Sequence, residues 1–365
     1  MSDKVQFHTS SYIPALDGLR GLSIVMVLIA HLGYESIVPG GLGVTIFFFI
    51  SGYIITNLLI DEYIKNDGIS LKLFYSRRLL RLYPPLLLLI LCVSIYLSIT
   101  HKPFNTPELF AATFYYENYY NFIVLDGIKY FGSLWSLAVE EHYYLIFPFV
   151  FILLFKYPKV FLGVLIALIF IALGWRYYGV IHYNKDLAEW YCYLLTHTRF
   201  DSILYGCLAS MILYLDKNEK FISFITNKPT FIGALLIIAA CLVIRNTEFR
   251  NTLRYSLEGI ALLVIVPAIV NVKSYKGINQ LFSNKVIVFI GKLSYSIYLF
   301  HPFAIMICSS IKADGHKALF IVAAVALTAV FSNFSYYIIE KPLGKIRKKL
   351  RPAAIKPKSL AAFEA

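Results

Sequence analysis

Long apolar segments recur along nearly the whole chain and are separated by short polar stretches. Ten of them are near the length of roughly 17–25 residues that a helix needs to cross the hydrocarbon layer, although a few are short. They cover residues 15–34, 43–61, 79–99, 134–155, 160–179, 196–215, 230–244, 255–271, 287–311 and 318–339. Because a segment in lipid must satisfy its own backbone hydrogen bonds, each is predicted to be helical. The pattern predicts an all-α, polytopic membrane protein with about ten transmembrane helices.

The composition excludes an ordinary soluble protein. Of the 365 residues, 59% are hydrophobic and only 15% are charged, whereas soluble domains average about 25% charged residues. A net charge of +13 could suit nucleic-acid binding, but 22 of the 34 Lys and Arg residues fall on one side of the membrane when the N-terminus is placed inside. This excess follows the positive-inside rule and predicts that both termini are cytoplasmic. The basic charge is therefore assigned to topology and to anionic membrane lipids, with no role for nucleic acid.

No soluble domain is predicted between the apolar segments. The longest gap, residues 100–133, is rich in Phe and Tyr, which favours an interfacial or re-entrant segment at the level of the headgroups. Residues 1–344 are predicted to form one transmembrane domain, and residues 345–365 a basic, mostly disordered cytoplasmic tail. The five cysteines form no CxxC pair, and no spacing suggests metal ligands, so no metal is predicted.

Two ionisable residues stand inside the first apolar segment, Arg20 and, eleven positions later, His31. On an α-helix eleven positions are about three turns, so the two side chains face the same way, roughly 16 Å apart. Ionisable groups at membrane depth are costly and by default mark a functional cavity or a partner. A pair of polar residues satisfied by neighbouring helices is the alternative. His301, in the ninth segment, is more typical of an interhelical hydrogen-bond donor than of a catalyst.

Two further clusters could carry chemistry. Arg78 and Arg81 share a helix face at the predicted cytoplasmic start of the third span, where guanidinium groups either bind phosphates or anchor the helix to lipid. Anchoring is the favoured interpretation of these two residues alone. Glu140 and Glu141, followed by His142, lie near the predicted outer mouth of a span. Adjacent helical positions diverge by about 100°, so the two carboxylates cannot both face one cavity centre. Solvated interfacial charges are an equally open alternative.

Taken together, these segments resemble acyltransferase family 3, a family of membrane proteins that O-acylate bacterial surface glycans. The matching stretches, in family order, are residues 15–22 leading to His31 as an R-x10-H motif, residues 47–56, Arg77-Arg78-x-x-Arg81-x-Tyr83-Pro84, residues 133–144, residues 293–302 and Glu340-Lys341-Pro342. No single stretch is diagnostic, but the ordered set is highly specific and covers nearly the whole chain.

The resemblance implies a multi-pass O-acyltransferase of the bacterial inner (cytoplasmic) membrane. Its acyl donor would be acyl-CoA, most often acetyl-CoA, taken from the cytoplasm as a substrate. The acceptor would be a hydroxyl of a cell-surface glycan or of a lipid-linked oligosaccharide. Under this resemblance, Arg78 and Arg81 become candidates for binding the nucleotide phosphates of the donor, with Arg77 and Tyr83 assisting.

The resemblance also assigns catalytic roles. His31 would act as the general base that removes the proton of the sugar hydroxyl as it attacks the thioester. Glu140 or Glu141 would orient or charge-balance the imidazole, and Arg20 would stabilise the oxyanion or position the pantetheine arm. A covalent acyl-histidine relay is the competing mechanism. Outside this enzyme class, the alternatives are a transporter or flippase of a lipid-linked sugar and, less favoured, a polysaccharide polymerase, which usually needs a larger external loop.

Overall fold

The computed structural model describes residues 12–124, 129–271 and 275–350, and within these ranges the chain is helical with no β-strand. In chain order the helices are α1 (Pro14–Ile29), α2 (Gly40–Asn66), α3 (Leu71–Ile99), α4 (Thr106–Thr113), α5 (Glu117–Ile123), α6 (Trp135–Leu154), α7 (Pro158–His182), α8 (Lys185–Leu194), α9 (Thr196–Leu215), α10 (Lys220–Thr226), α11 (Lys228–Val243), α12 (Thr247–Asn251), α13 (Leu253–Asn271), α14 (Lys276–Phe282), α15 (Lys285–Ile307), α16 (Ser309–Ala313), α17 (Lys317–Ser335) and α18 (Lys341–Lys349). Two π-helical segments, Ala30–Tyr34 and Tyr336–Glu340, continue α1 and α17, and a short 3₁₀ helix, Gly132–Leu134, precedes α6. The all-α prediction is confirmed.

Eight of the described helices are long and apolar enough to cross a membrane. They are α1 with its π segment, α2, α3, α6 with the preceding 3₁₀ helix, α7, α13, α15 and α17 with its continuation through α18. The pair α10 and α11, bent by 64°, makes a ninth if it is counted as one broken span. A polytopic helical membrane protein is therefore confirmed, whereas the predicted ten spans and the cytoplasmic position of both termini stay predictions.

When α10 and α11 count as one span, nine of the ten predicted spans are accounted for. The tenth is α9, which coincides with the predicted segment 196–215 but is not among the eight. Its first turns carry Arg199 and Asp201, which lower its mean hydropathy, and both side chains are fully buried. Asp201 Oδ2 lies 2.8 Å from Nη2 of Arg176 in α7, so this charge is paired inside the protein. Because α2, α7 and α13 all pack against it, α9 is a central helix surrounded by protein.

Close helix contacts in this core depend on glycine. A Cβ atom on Gly52 of α2 would overlap the carbonyl oxygen of Ile203 in α9, and a Cβ on Gly206 of α9 would overlap the carbonyl oxygen of Phe49 in α2. Small residues of this kind let two helix backbones approach closely within a membrane. The α2–α9 contact therefore sets the position of α2, which lines the site described below.

We expect Gly206→Ala to destabilise the folded protein, since the new methyl group would meet the backbone of α2 instead of a side chain that could move aside. Overpacking of this kind typically costs about 1–3 kcal/mol. The measurement is the thermal unfolding midpoint in detergent. Gly233→Ala in α11 is the matched control, because nothing lies within 4 Å of its Cβ position. Equal unfolding midpoints for the two variants would contradict the close contact.

The segments that the sequence places outside the spans are partly helical. The predicted interfacial stretch 100–133 contains α4 and α5, and α5 packs against α6 and α8; residues 125–128 lie outside the described residues. At the other end, α18 continues past the predicted domain boundary at residue 344. The first five residues of the predicted tail are therefore helical, and its remainder from residue 351 lies outside the described residues.

Candidate active site

A pocket between α1, α2, α3, α6 and α15 collects several of the predicted site residues. It holds roughly 700 Å³ of empty space when its open mouth is included. Its polar lining consists of Arg20, Ser51, Arg78, Arg81, Ser136, Glu140, Tyr144, Ser294, Tyr295 and Tyr298. Residues that are far apart in the sequence, and that the sequence analysis singled out separately, thus share one cavity.

Two helices supply the arginines that line this pocket: Arg20 comes from α1, and Arg78 and Arg81 come from α3. Arg81 of α3 lies within electrostatic range of Arg20 of α1, Arg78 of α3 and Arg347 of α18. The guanidinium carbon of Arg78 lies 3.8 Å from the ring centre of Tyr144, which packs the cation flat against an aromatic face. Such crowding of like charges is unfavourable in the absence of an anion. The arrangement suits a ligand that carries phosphate groups, which guanidinium forks bind bidentately.

Carboxylates balance part of this positive charge. Glu140 of α6 accepts hydrogen bonds from the Ser51 hydroxyl at 3.1 Å and from the Tyr144 hydroxyl at 2.9 Å, and it lies within electrostatic range of Arg20 and Arg78. Its neighbour Glu141 is not among the lining residues. Only one of the two adjacent carboxylates therefore faces the pocket.

His31 lies in the π-helical segment that continues α1, and its side chain is exposed. Its Nδ1 is 2.8 Å from the carbonyl oxygen of Val27. Because a carbonyl oxygen only accepts, Nδ1 carries the hydrogen and Nε2 is left as the basic nitrogen. The segment includes Gly33 with φ of 95°, a left-handed conformation that a residue with a side chain rarely adopts. Single π turns inside helices often mark functional sites.

The neighbour of His31 is a second histidine, His301 of α15. The two ring centres are 4.9 Å apart in an edge-on arrangement with an interplanar angle of 69°. His301 is fully buried, its Nδ1 is 2.8 Å from the carbonyl oxygen of Tyr298, and its Nε2 has no hydrogen-bond partner among the described residues. The Tyr298 ring, 5.6 Å from that of His301, also lines the pocket. A continuous row of three side chains thus leads from the pocket to His31, which is not itself a lining residue.

Comparison with known proteins identifies the family of the chain. The sequence profile of an acyltransferase domain family, Acyl_transf_3, matches residues 13–338. The chain belongs to this acyltransferase family. The resemblance predicted from the motifs is therefore confirmed.

The relatives of this chain are longer proteins. The chain is 32% identical, over 98% of its own length, to O-acetyltransferase OatA of Staphylococcus aureus strain NCTC 8325 / PS 47 and of strain MRSA252, and it covers 61% of each. It is also 32% identical, over 92% of its length, to a protein of Staphylococcus aureus strain COL named as a candidate O-acetyltransferase, of which it covers 58%. The chain thus spans about three fifths of these relatives. No solved structure matches it.

Two residues that the sequence assigned to donor binding lie elsewhere in the protein. Arg77 makes an ion pair with Glu62 of α2 at 2.9 Å and donates a hydrogen bond to the carbonyl oxygen of Leu350 at 3.0 Å. Tyr83 packs edge-on against Tyr115, with ring centres 5.6 Å apart, and does not line the pocket. The structure brings Arg78 and Arg81 to the cavity, whereas Arg77 joins α3 to α2 and to the end of α18.

The surroundings of the pocket also contain residues that sequence reasoning missed or placed in another role. Arg347 belongs to the predicted tail, and its Nε has no hydrogen-bond partner among the described residues. Glu340 lies in the second π segment, accepts a hydrogen bond from Ser296, and is within electrostatic range of Arg81 and Arg347. His301 was expected to donate a hydrogen bond to another helix, but its Nδ1 lies against the carbonyl oxygens of Ile297 and Tyr298 in its own helix, and its ring contacts His31. The only sequence signals were the Glu-Lys-Pro motif for Glu340 and the His-Pro motif for His301.

Proposed function

We propose that the protein is a transmembrane O-acyltransferase of the bacterial inner membrane that moves an acyl group, chiefly acetyl, from cytoplasmic acyl-CoA to a hydroxyl of a cell-surface glycan or its lipid-linked precursor. The observation that carries the proposal is the convergence of Arg20, Arg78 and Arg81 on one pocket whose wall continues through Tyr298 and His301 to His31. The names of the OatA relatives, which are O-acetyltransferases, support the choice of acetyl.

The donor side of the proposal rests on charge. Coenzyme A carries its negative charge on the phosphates of its nucleotide end, and the arginine-rich part of the pocket presents several guanidinium groups within electrostatic range of each other. The remaining lining includes Phe47, Phe48 and Leu82, which suit the less polar pantetheine arm. In this arrangement the phosphates stay near α3 while the arm carries the thioester along the pocket.

The chemical step follows from the tautomer of His31. Nε2 removes the proton of the acceptor hydroxyl as that oxygen attacks the thioester carbonyl carbon, while Arg20, about three helical turns away, positions the pantetheine arm. The C–S bond then breaks, the acyl group stays on the acceptor, and the imidazolium returns the proton to the coenzyme A thiolate. The buried ring of His301 holds His31 in place by edge contact, the orienting role that the sequence analysis gave to Glu140 or Glu141.

The test uses the full chain in lipid nanodiscs with acetyl-CoA radiolabelled in the acetyl group. We expect coenzyme A release and acceptor labelling that both depend on a glycan or lipid-linked acceptor. Movement of a lipid-linked sugar without acetyl-CoA consumption would instead identify a transporter. Loss of glycan O-acetyl signals in NMR spectra of cells that lack the gene is the corresponding cellular result. Label trapped on His31 in the absence of acceptor would favour the covalent relay over direct transfer.

A further inference from the structure

A second concentration of polar groups lies away from the acyl-transfer pocket, on α4 and α5. The side chains of Glu108 and Glu117 are both fully buried, and Asn121 is 3% exposed. One oxygen of Glu108 accepts a hydrogen bond from the backbone N–H of Phe131 at 2.7 Å. Its other oxygen, both oxygens of Glu117 and the Asn121 amide oxygen have no hydrogen-bond partner among the described residues. Four buried acceptor atoms are thus left without a donor.

The contacts around these atoms bring them together. Glu117 and Asn121 are one turn apart on α5, so they share a face. The Asn121 side-chain nitrogen donates to the carbonyl oxygen of Gly132 at 2.9 Å, which fixes its amide oxygen on the opposite side. Gly132 directly follows Phe131, whose amide holds Glu108. Glu108 and Glu117 lie within electrostatic range of each other, and Lys129 lies within range of both carboxyls. The Lys129 ammonium donates a hydrogen bond to the backbone carbonyl oxygen of Asn121 at 3.1 Å.

The two buried carboxylates share the single ammonium of Lys129, so one negative charge stays unbalanced and favours uptake of a proton or a cation. Burial raises the pKa of Glu108 to about 7 and that of Glu117 to about 8, where the negative charge of Glu108 adds to the effect. Near neutral pH the two carboxyls can therefore give up protons to a competing cation. The free atoms are all oxygens, which hard cations prefer, and no thiol or imidazole takes part.

We propose that Glu108, Glu117 and Asn121 form a binding site for a hard divalent cation of the calcium class, separate from the acyl-transfer pocket, that fixes α4 and α5 to the stretch leading into α6. The two carboxylates and the amide oxygen are the protein ligands, and exchangeable water completes the six to eight oxygens that Ca²⁺ takes. The described part of the chain has no group of three or more His, Cys, Asp or Glu side chains that could hold a metal ion. The proposed site has only two such side chains and adds an amide oxygen.

The test measures thermal unfolding of the purified full chain in detergent at pH 8 after removal of metals with a chelator. CaCl2 should raise the unfolding midpoint at constant ionic strength, because a ligand that binds only the folded state stabilises it. Glu117→Gln should weaken the apparent affinity for Ca²⁺ by about 10–100-fold or more. Loss of a residue that only supports a metal ligand already has an effect of that size. Glu189→Gln, an exposed change on the neighbouring α8, is the matched control and should respond like the unchanged protein.

Equilibrium dialysis with radioactive calcium gives an independent measurement that does not require a stable variant. One bound Ca²⁺ per unchanged chain, with weaker binding at pH 5.5 where protons compete, is the expected result. No binding, or a CaCl2 effect that Glu117→Gln leaves unaltered, would overturn the proposal. An unfolding midpoint that rises on acidification but ignores CaCl2 would also overturn it and would assign the site to protons. MgCl2 serves as the second probe, since a smaller octahedral ion fits such a site less well.

Discussion

Replacing His31 by asparagine should lower acyl transfer about 10²–10⁴-fold, the usual contribution of a positioned general base. The structure leaves Nε2 of His31 free to accept a proton because Nδ1 is hydrogen-bonded to the carbonyl oxygen of Val27. An asparagine at this position can keep a bond to that carbonyl but has no group that can take a proton from a hydroxyl. The measurement is acetyl transfer from labelled acetyl-CoA to the acceptor, with the amount of folded protein checked by size-exclusion chromatography.

His182 provides a matched control for this change. It is exposed on α7, and its Nδ1 is 3.0 Å from the carbonyl oxygen of Tyr178, four residues earlier. His31 makes the same kind of bond to the carbonyl oxygen of Val27. His182→Asn should leave transfer unchanged because no pocket residue contacts it. Full activity of His31→Asn would contradict the role of His31 and leave the row of Tyr298, His301 and His31 as packing.

The spans were predictable because they rest on local hydrophobicity, and each of the ten predicted segments overlaps a helix. The orientation of His31 was less accessible. The sequence argument placed Arg20 and His31 on one face of a regular α-helix, but the helix becomes π-helical at Ala30, and a wider turn changes the direction of the residues within it. Arg20 lines the pocket, whereas His31 meets His301. Nothing in the spacing of α1 could predict that contact with α15.

The roles of neighbouring arginines were also beyond local reasoning. Arg77 and Arg78 differ by one position, and only the position of Glu62 on α2 decides that Arg77 forms an ion pair while Arg78 stays in the pocket. Arg347 joins the cluster around Arg81 across more than 260 residues of sequence. Such convergence is a property of tertiary packing. The family resemblance singled out Arg78 and Arg81 as candidates for phosphate binding, and both line the cavity, but it gave no signal for Arg347.

The cluster of arginines implies that function, and not stability, keeps Arg81 in place. Its guanidinium lies within electrostatic range of Arg20, Arg78 and Arg347, and the single carboxylate of Glu340 offsets only part of this repulsion when no anionic ligand is bound. Removing that charge should relieve repulsion in the ligand-free protein. Sites that bind charged ligands often show this conflict between stability and activity.

We therefore expect Arg81→Gln to raise the KM for acetyl-CoA by about 30-fold or more, because loss of one partner of a buried charge pair costs roughly 2–5 kcal/mol. The unfolding midpoint of this variant without ligand should stay equal or increase. Arg77→Gln should show the opposite division, since Arg77 is engaged with Glu62 and Leu350: a lower unfolding midpoint and an unchanged KM. Steady-state kinetics and thermal unfolding on the same preparations measure both. A lower midpoint with an unchanged KM for Arg81→Gln would show that Arg81 serves the fold, and the donor phosphates would then have to bind elsewhere.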